Sequence, residues 1–148
     1  MVATSFEIIS RNPIGDDSLY KDIGPYEFIT GRLYYSIDPK HTDSQLITDI
    51  NLISTNNRGK VEFSSDIQIL KPVNMKDDSN LLFDVVNRGN RTVLAFNNAE
   101  QRVSNEDPHL GNGFLMKKGT VVVFCGWQTA VPEGRIRLHV PEALDENG

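Results

Sequence analysis

Apolar and β-branched runs separated by turn-forming residues predict that the first half of the chain is mainly β structure. Residues 6–9, 26–37 and 61–70 are strand candidates, and the last alternates apolar and polar side chains, which indicates one buried face. Residues 45–54 are a weaker candidate because they are rich in isoleucine but alternate poorly. Near the chain's end, residues 134–140 alternate again and predict a half-exposed strand.

The pattern changes in the second half, where continuous apolar runs occupy residues 81–86 and 120–124. Such runs are typical of strands covered on both faces, as in parallel sheets. Two helix candidates lie between them, at residues 92–103 and 113–118, and Gly119 stands at the stop position of the second. A strand, a crossover and a second strand predict a mixed sheet with a right-handed crossover.

Composition limits the classes of protein that fit. The chain has 148 residues, of which 39% are hydrophobic, so it can form one domain with a buried core. Its net charge is −5 and its basic residues are scattered, which argues against nucleic-acid binding. No apolar run approaches the ~20 residues of a membrane span, and the first ten residues lack the features of a signal peptide. The expected location is the cytoplasm.

Cysteine and histidine usage gives no sign of a metal or disulfide site. A single cysteine, Cys125, cannot form an internal disulfide, and its place after an apolar run suggests a small core residue rather than a nucleophile. The three histidines, His41, His109 and His139, show no spacing typical of metal ligands. We therefore expect neither a metal nor a cofactor.

The candidate chemistry lies where the apolar runs end. Residues Asn87, Arg88, Gly89 and Asn90 follow the run at 81–86, and α/β sheets place their ligands at such strand ends. A glycine there lets backbone N–H groups point at an anion, as in an oxyanion hole. An ordinary polar turn explains the same residues, and spacing alone favours that interpretation.

Several segments resemble, in order, the N-terminal half of the large bacterial alpha/beta hydrolase domain-containing proteins. These segments read GRLYYSIDP, RGKVEFSSDIQILKPV, LLFDVVNRGN, GNGFLMKKGTVVVFCGWQ and RIRLHVPEA. The resemblance divides the chain into an N-terminal extension (1–25), half of a hydrolase-like domain (26–143) and a polar C-terminal end (144–148). It implies an α/β fold, in which antiparallel N-terminal strands lead into the first half of an alpha/beta-hydrolase-like mixed sheet that this chain leaves incomplete.

The resemblance also assigns roles to the strand ends. It implies that Asn87 to Asn90 form part of an oxyanion hole after the third core strand, and that Gly126 to Gln128 end the fourth. Trp127 and Gln128 are then pocket candidates, although Trp127 would equally well close the end of the sheet. Hydrolase sheets run in the order one-two-four-three-five, so residues 81–86 would form an open apolar edge that invites self-association.

The chain lacks the nucleophile that such a reaction needs. Serine hydrolases place the reactive serine in a G-x-S-x-G turn, and this sequence contains no such motif. We therefore expect no catalytic residue in this chain. The sequence predicts an N-terminal fragment or subunit of an esterase-like serine hydrolase, completed by the missing C-terminal half or by a complementary chain. The alternative is a non-enzymatic β-rich module that binds a partner or small ligand.

Overall fold

The computed structural model describes residues 1–15, 20, 22–99 and 107–144. Within them the chain forms a mixed sheet with little helix. The strands are β1 (Val2–Ile14), β2 (Tyr26–Ile37), β3 (Val61–Pro72), β4 (Leu81–Val85), β5 (Val121–Cys125) and β6 (Leu138–His139). The helical segments are one α-helical turn, α1 (Phe114–Lys117), and three 3-10 turns at Thr42–Leu46, Ile50–Leu52 and Thr92–Asn97.

The sheet runs in the order β1-β2-β3-β5-β4, and β6 adds a short pairing to β3. Neighbouring strands are antiparallel except β4 and β5, which pair in parallel from Leu81–Val121 to Val85–Cys125. Such a parallel pair requires a crossover, and residues 86–120 supply it. The predicted sequence of strand, crossover and strand is therefore confirmed.

The main core lies on the sheet face that the crossover covers. Cross-strand partners point to the same face, so the β2–β3 register places Phe28 beside Leu70, and the β3–β5 register continues this surface to Val122. The crossover contributes Leu94 and Met116 to the same cluster. Burial of this apolar surface is the dominant favourable term in folding.

The region predicted as an N-terminal extension contains a long strand. β1 pairs with β2 from Val2–Ser36 to Ile14–Tyr26, with irregular register at two places. The sequence pattern identified only residues 6–9 of this strand, because few of its side chains are buried and the apolar signal is correspondingly short. Residues 145–148, most of the predicted polar C-terminal end, lie outside the described residues.

The predicted strand at 45–54 and the predicted helix at 92–103 both need correction. Residues 45–54 form no strand; they lie in and around the 3-10 turns Thr42–Leu46 and Ile50–Leu52. Ile50 of this segment is buried in a small second core. The predicted helix at 92–103 is a 3-10 turn as far as Asn97, and residues 100–103 lie outside the described part. The fold is thus mostly β rather than evenly α/β, since the described crossover contains only short helical turns.

Two predictions about strand burial are wrong. β3 is buried on both faces rather than one: Leu70 joins the main core, and Ser65 and Ile67 on the opposite face are buried as well. β4 is covered on one face only: Leu81, Phe83 and Val85 are all exposed, because the described residues place nothing over that face. The strand predicted at 134–140 shortens to Leu138–His139, which pairs with β3 for two residues.

Candidate functional site

A tight turn follows β4 and brings together the four residues of the predicted loop. Asn90 closes it by donating its backbone N–H to the carbonyl oxygen of Asn87 over 3.0 Å. The two central residues, Arg88 and Gly89, have φ angles of 52° and 75°, as in a type I′ turn. Glycine adopts this conformation freely, whereas a residue with a Cβ does so only where the surroundings hold it. Contacts with distant segments must therefore keep Arg88 in place.

Trp127 and Gln128, the predicted pocket residues, supply two of those contacts. The Arg88 backbone N–H donates to the Gln128 side-chain oxygen over 2.8 Å. The Trp127 indole N–H donates to the carbonyl oxygen of Val86 over 2.7 Å, while the side chain remains 53% exposed. The ends of the parallel strands β4 and β5 are thus joined by side chains. The structure places Asn87 to Asn90, Trp127 and Gln128 next to one another.

Gly89 has no room for a side chain. A Cβ there would lie 2.6 Å from the Cβ of Arg135 and 2.7 Å from the carbonyl oxygen of Ile136. Gly89 is buried against this segment of the chain itself, so packing as well as the positive φ requires glycine. The requirement for glycine therefore does not depend on a substrate.

Arg135 is a further residue of the site, and sequence reasoning missed its role. Its guanidinium donates to the side-chain oxygen of Asn90 and so ties the far end of the turn to residues 134–137. The sequence shows Arg135 only as one polar position in an alternating segment. No local signal distinguishes it from Arg137, whose guanidinium instead donates to the carbonyl oxygens of Val131 and Pro132.

The hydrogen bonds of the turn decide which donors are free to bind an anion. The Arg88 N–H is taken by Gln128 and the Asn90 N–H by Asn87. Within the described part of the chain, the Gly89 N–H makes no hydrogen bond. The Gln128 oxygen occupies the place beside the Arg88 N–H that an anionic oxygen would otherwise take. The turn thus leaves one backbone N–H without an acceptor, that of the buried Gly89, and would free a second if Gln128 moved away.

A second polar cluster, which sequence reasoning also missed, forms around Asp66 and includes Arg32, Arg137 and His139. Asp66 accepts a hydrogen bond from the Arg32 guanidinium over 3.1 Å, and its Oδ1 lies 2.8 Å from the Nε2 of His139. The Arg137 backbone N–H donates to its other oxygen over 3.2 Å. The cluster lies beside a surface cavity of ≈ 340 Å³. These bonds satisfy Asp66 and join β2, β3 and β6.

Cys125 is the last residue of β5 and is partly buried, whereas the sequence predicted a small core residue. Its sulfur lies 3.6 Å from the hydroxyl of Ser65, which is fully buried. Burial raises the pKa of Tyr35 to about 12, and the neighbouring Cys125 thiol adds to the shift. These neighbours are hydroxyl groups rather than the cationic groups that activate a thiolate.

The histidines occupy separate places. His41 begins the turn Thr42–Leu46, where its Nδ1 accepts the Asp43 backbone N–H over 3.2 Å. His109 lies in the loop before α1, and His139 lies in the Asp66 cluster. Across residues 1–15, 20, 22–99 and 107–144, no group of three histidine, cysteine or acidic side chains is placed to hold a metal ion.

Comparisons with known proteins add no relative. No protein-family model, no curated protein and no solved structure matches the chain significantly. The class of fold is therefore taken from the chain alone: a mixed, mostly β sheet with a parallel pair at one edge and a polar turn at the end of that pair. None of the helices in the described ranges has the length and apolar character needed to cross a bilayer.

Proposed function

We propose that the chain is the N-terminal part of an esterase-like serine hydrolase and that its turn Asn87 to Asn90 supplies part of the oxyanion hole. The observation that carries the proposal is the unpaired Gly89 N–H, held in a turn at the carboxyl ends of a parallel strand pair. Ligands of open α/β sheets bind at such strand ends. Preorganised backbone N–H groups stabilise the negative oxygen that develops during ester hydrolysis.

Strand order supports the same proposal. If β2, β3, β4 and β5 are numbered one to four, the observed order β2-β3-β5-β4 becomes one-two-four-three. This is the beginning of the order one-two-four-three-five that the resemblance implies. Its directions also fit, since β2, β3 and β5 alternate and β4 runs parallel to β5. A fifth strand would then lie beside β4.

Within this proposal Gly89, Trp127 and Gln128 have different roles. Gly89 donates to the substrate oxygen, and Trp127 holds the end of β4 by its bond to Val86. Gln128 keeps the Arg88 N–H occupied until a stronger acceptor arrives, since an anionic oxygen accepts a hydrogen bond better than an amide oxygen does. Because these 148 residues contain no G-x-S-x-G motif, another polypeptide segment supplies the nucleophile, its base and the acid.

The first test uses the chain by itself. Purified protein is incubated with short p-nitrophenyl esters and with a fluorophosphonate probe. We expect no turnover above a blank and no labelling, because the sequence contains no activated nucleophile. Stoichiometric labelling of any serine would show that the chain carries its own nucleophile and would overturn the proposal that another segment supplies it.

The second test uses a polypeptide in which residues 1–148 are joined to a segment with a G-x-S-x-G motif. Alanine keeps the backbone N–H, but its Cβ clashes with Arg135 and Ile136 and so displaces that N–H; Gly89→Ala should therefore lower kcat about 10²-fold, as when one preorganised donor is lost. Because Gly89 is also tightly packed, kcat is divided by the number of sites that the fluorophosphonate titrates. The matched control is Gly59→Ala, which should leave kcat per titrated site unchanged. Equal small effects would reduce the turn to a structural role.

A second candidate function is a non-enzymatic interaction module. The observation that favours it is the open edge of β4, where Leu81, Phe83 and Val85 are 64%, 53% and 56% exposed. Exposed apolar edge strands are templates for pairing with another chain. Binding of a separate partner strand at this edge, with no esterase activity when residues 1–148 are joined to a segment with a G-x-S-x-G motif, would support the module rather than the hydrolase.

A further inference from the structure

The free edge of β4 combines exposed apolar side chains with unpaired backbone groups. The Val121 N–H donates to the carbonyl oxygen of Asn80, so the even-numbered residues of this strand direct their backbone groups toward β5. Backbone direction alternates along a strand, and the N–H and C=O groups of Leu81, Phe83 and Val85 therefore point away from the sheet. These three residues present both kinds of pairing group at the same edge.

The opposite edge of the sheet is protected, whereas β4 is not. β1 has register irregularities between Ala3 and Ser5 and between Ile8 and Ser10, and it contains Pro13. Bulges and proline are devices that prevent edge-to-edge pairing. β4 pairs without interruption over its five residues and contains no proline or lysine. Its one charged residue, Asp84, is buried and bonded to Thr92 and the Val93 N–H.

We propose that the edge of β4 binds a second copy of this chain by antiparallel pairing about a two-fold axis at Phe83. In this register Phe83 faces the partner's Phe83, and Leu81 faces the partner's Val85. All three N–H and all three C=O groups of each edge then find partners. The six apolar side chains lie side by side on one face of a continuous sheet.

Charge at the two ends of β4 favours this antiparallel arrangement. Asp77 and Asp78 lie in an exposed turn before the strand, together with Lys76, while Arg88 is exposed just after it. The two-fold arrangement brings the turn with Asp77 and Asp78 to the same end of the interface as the partner's Arg88; these residues lie in turns just outside the paired strand. A parallel pairing of two copies would instead bring like charges together, which is unfavourable. The second copy is therefore the occupant that the edge itself specifies.

This inference does not rest on the proposed hydrolase function, since it concerns the 148-residue chain as a protein by itself. A paired edge of five residues is small, so we expect a weak, concentration-dependent dimer. A segment that supplies a parallel fifth strand would compete for the same edge and would abolish the dimer. Failure to dimerise would leave the esterase tests untouched, and failure of those tests would leave the dimer.

Sedimentation velocity over a concentration series tests whether the dimer exists. The unchanged chain should shift from monomer to dimer without larger species. Phe83→Lys should weaken dimerisation at least tenfold, while Leu46→Lys, at an 87% exposed site away from β4, should not. Circular dichroism checks that both variants are folded. A monomer at every concentration, or a ladder of larger aggregates, would overturn the proposal.

Two further variants test the register. In a Cys125→Ser background, Phe83→Cys should form a disulfide-linked dimer on mild oxidation, because residues that face each other in an antiparallel pair approach within disulfide range. Leu81→Cys alone should crosslink far less, but should crosslink when mixed with Val85→Cys. Efficient crosslinking of Leu81→Cys alone, or none when Leu81→Cys is mixed with Val85→Cys, would contradict the two-fold antiparallel pairing.

Discussion

Two turns in this chain contain the same three residues, Asn-Arg-Gly, with a positive φ at the glycine, yet they are built and held in different ways. Arg58-Gly59 follows Asn57, and Arg88-Gly89 follows Asn87; the glycines have φ angles of 69° and 75°, but of the two arginines only Arg88 has a positive φ. In the first turn, the Asn56 side-chain oxygen accepts the N–H groups of Arg58 and Lys60, so the bonds stay within the turn.

The second turn depends instead on residues far away in the chain. The Arg88 N–H is bonded to Gln128, and Gly89 is packed against Arg135 and Ile136. A Cβ at Gly59 would meet nothing within 4 Å, whereas one at Gly89 would meet atoms at 2.6 and 2.7 Å. Similar local sequence thus supports a free-standing turn in one place and a built site in the other, and only the second can position a donor precisely enough for catalysis.

The largest expected difference between the turns is in the effect of alanine on stability. Gly89→Ala should lower the free energy of unfolding by roughly 3 kcal/mol, since it adds overpacking to the cost of a positive φ. Gly59→Ala should cost only about 1 kcal/mol, because conformation alone opposes it. Urea unfolding of both variants measures the two effects. Equal losses would mean that the packing around Gly89 relaxes freely.

The bond from Trp127 should have the next largest effect. Trp127→Phe keeps an aromatic ring but removes the N–H donor from the Val86 carbonyl, and we expect a loss of about 1–2 kcal/mol. The readout is the midpoint of urea unfolding, with Phe96→Leu, a change at another exposed aromatic residue, as the comparison. A loss no greater than that of Phe96→Leu would show that water replaces the bond.

Removing either acceptor should loosen only its own turn. Gln128→Ala should cost about 1 kcal/mol and accelerate hydrogen exchange of the Arg88 amide, leaving the Arg58 amide unchanged. Asn56→Ala should do the reverse. Amide exchange followed by NMR resolves the two sites. Faster exchange at both amides in either variant would indicate that the turns are coupled through the sheet.

The smallest effect concerns acid stability near the first turn. A hydrogen bond from Lys60 lowers the pKa of Asp38 below its ordinary value of 3.8, and the Lys40 backbone N–H adds to this. Because the pKa is depressed in the folded state, the stabilisation is complete above pH 3.8 and disappears as the pH falls through the folded-state value. Asp38→Asn should therefore be slightly less stable than the unchanged chain at pH 7 and equally stable near pH 2.

A difference that persists near pH 2 would show that Asp38→Asn acts by something other than charge. The second turn provides the control, because Asp38 bonds to Lys60 beside the first turn and, within the described ranges, neither residue bonds to residues 87–90. Hydrogen exchange of the Arg88 amide should accordingly be the same in Asp38→Asn and in the unchanged chain at every pH.

Local patterns predicted the parts of the fold whose signals are local. The strands at 26–37, 61–70 and 120–124 were visible because apolar and β-branched residues cluster in them, and Gly119 marked the end of α1 with its positive φ. The strand prediction for residues 45–54 was wrong because isoleucine favours strands, whereas Ile50 lies in a 3-10 turn and packs into a small separate core. Propensity yields to burial when the two disagree.

The candidate site was predictable in position but not in its bonds. The sequence placed Asn87 to Asn90 and Trp127 and Gln128 after two strand candidates, and the structure shows that the two strand ends are neighbours. The contributions of Arg135 and of the Asp66 cluster left no trace in the sequence, since each depends on a partner tens of residues away. Side-chain pairs of this kind appear only when strand register is known.

What the sequence by itself determined is the existence of a buried core, the main strands and the need for glycine in a turn after β4, because these follow from hydrophobicity, β propensity and backbone sterics. Only the tertiary structure decided that β3 is covered on both faces while β4 exposes one, and that Gly89 is locked by Arg135 and Ile136 while Gly59 is free. The physical reason is that burial and packing are properties of neighbours, and neighbours are set by strand order and register rather than by the residues of a segment alone.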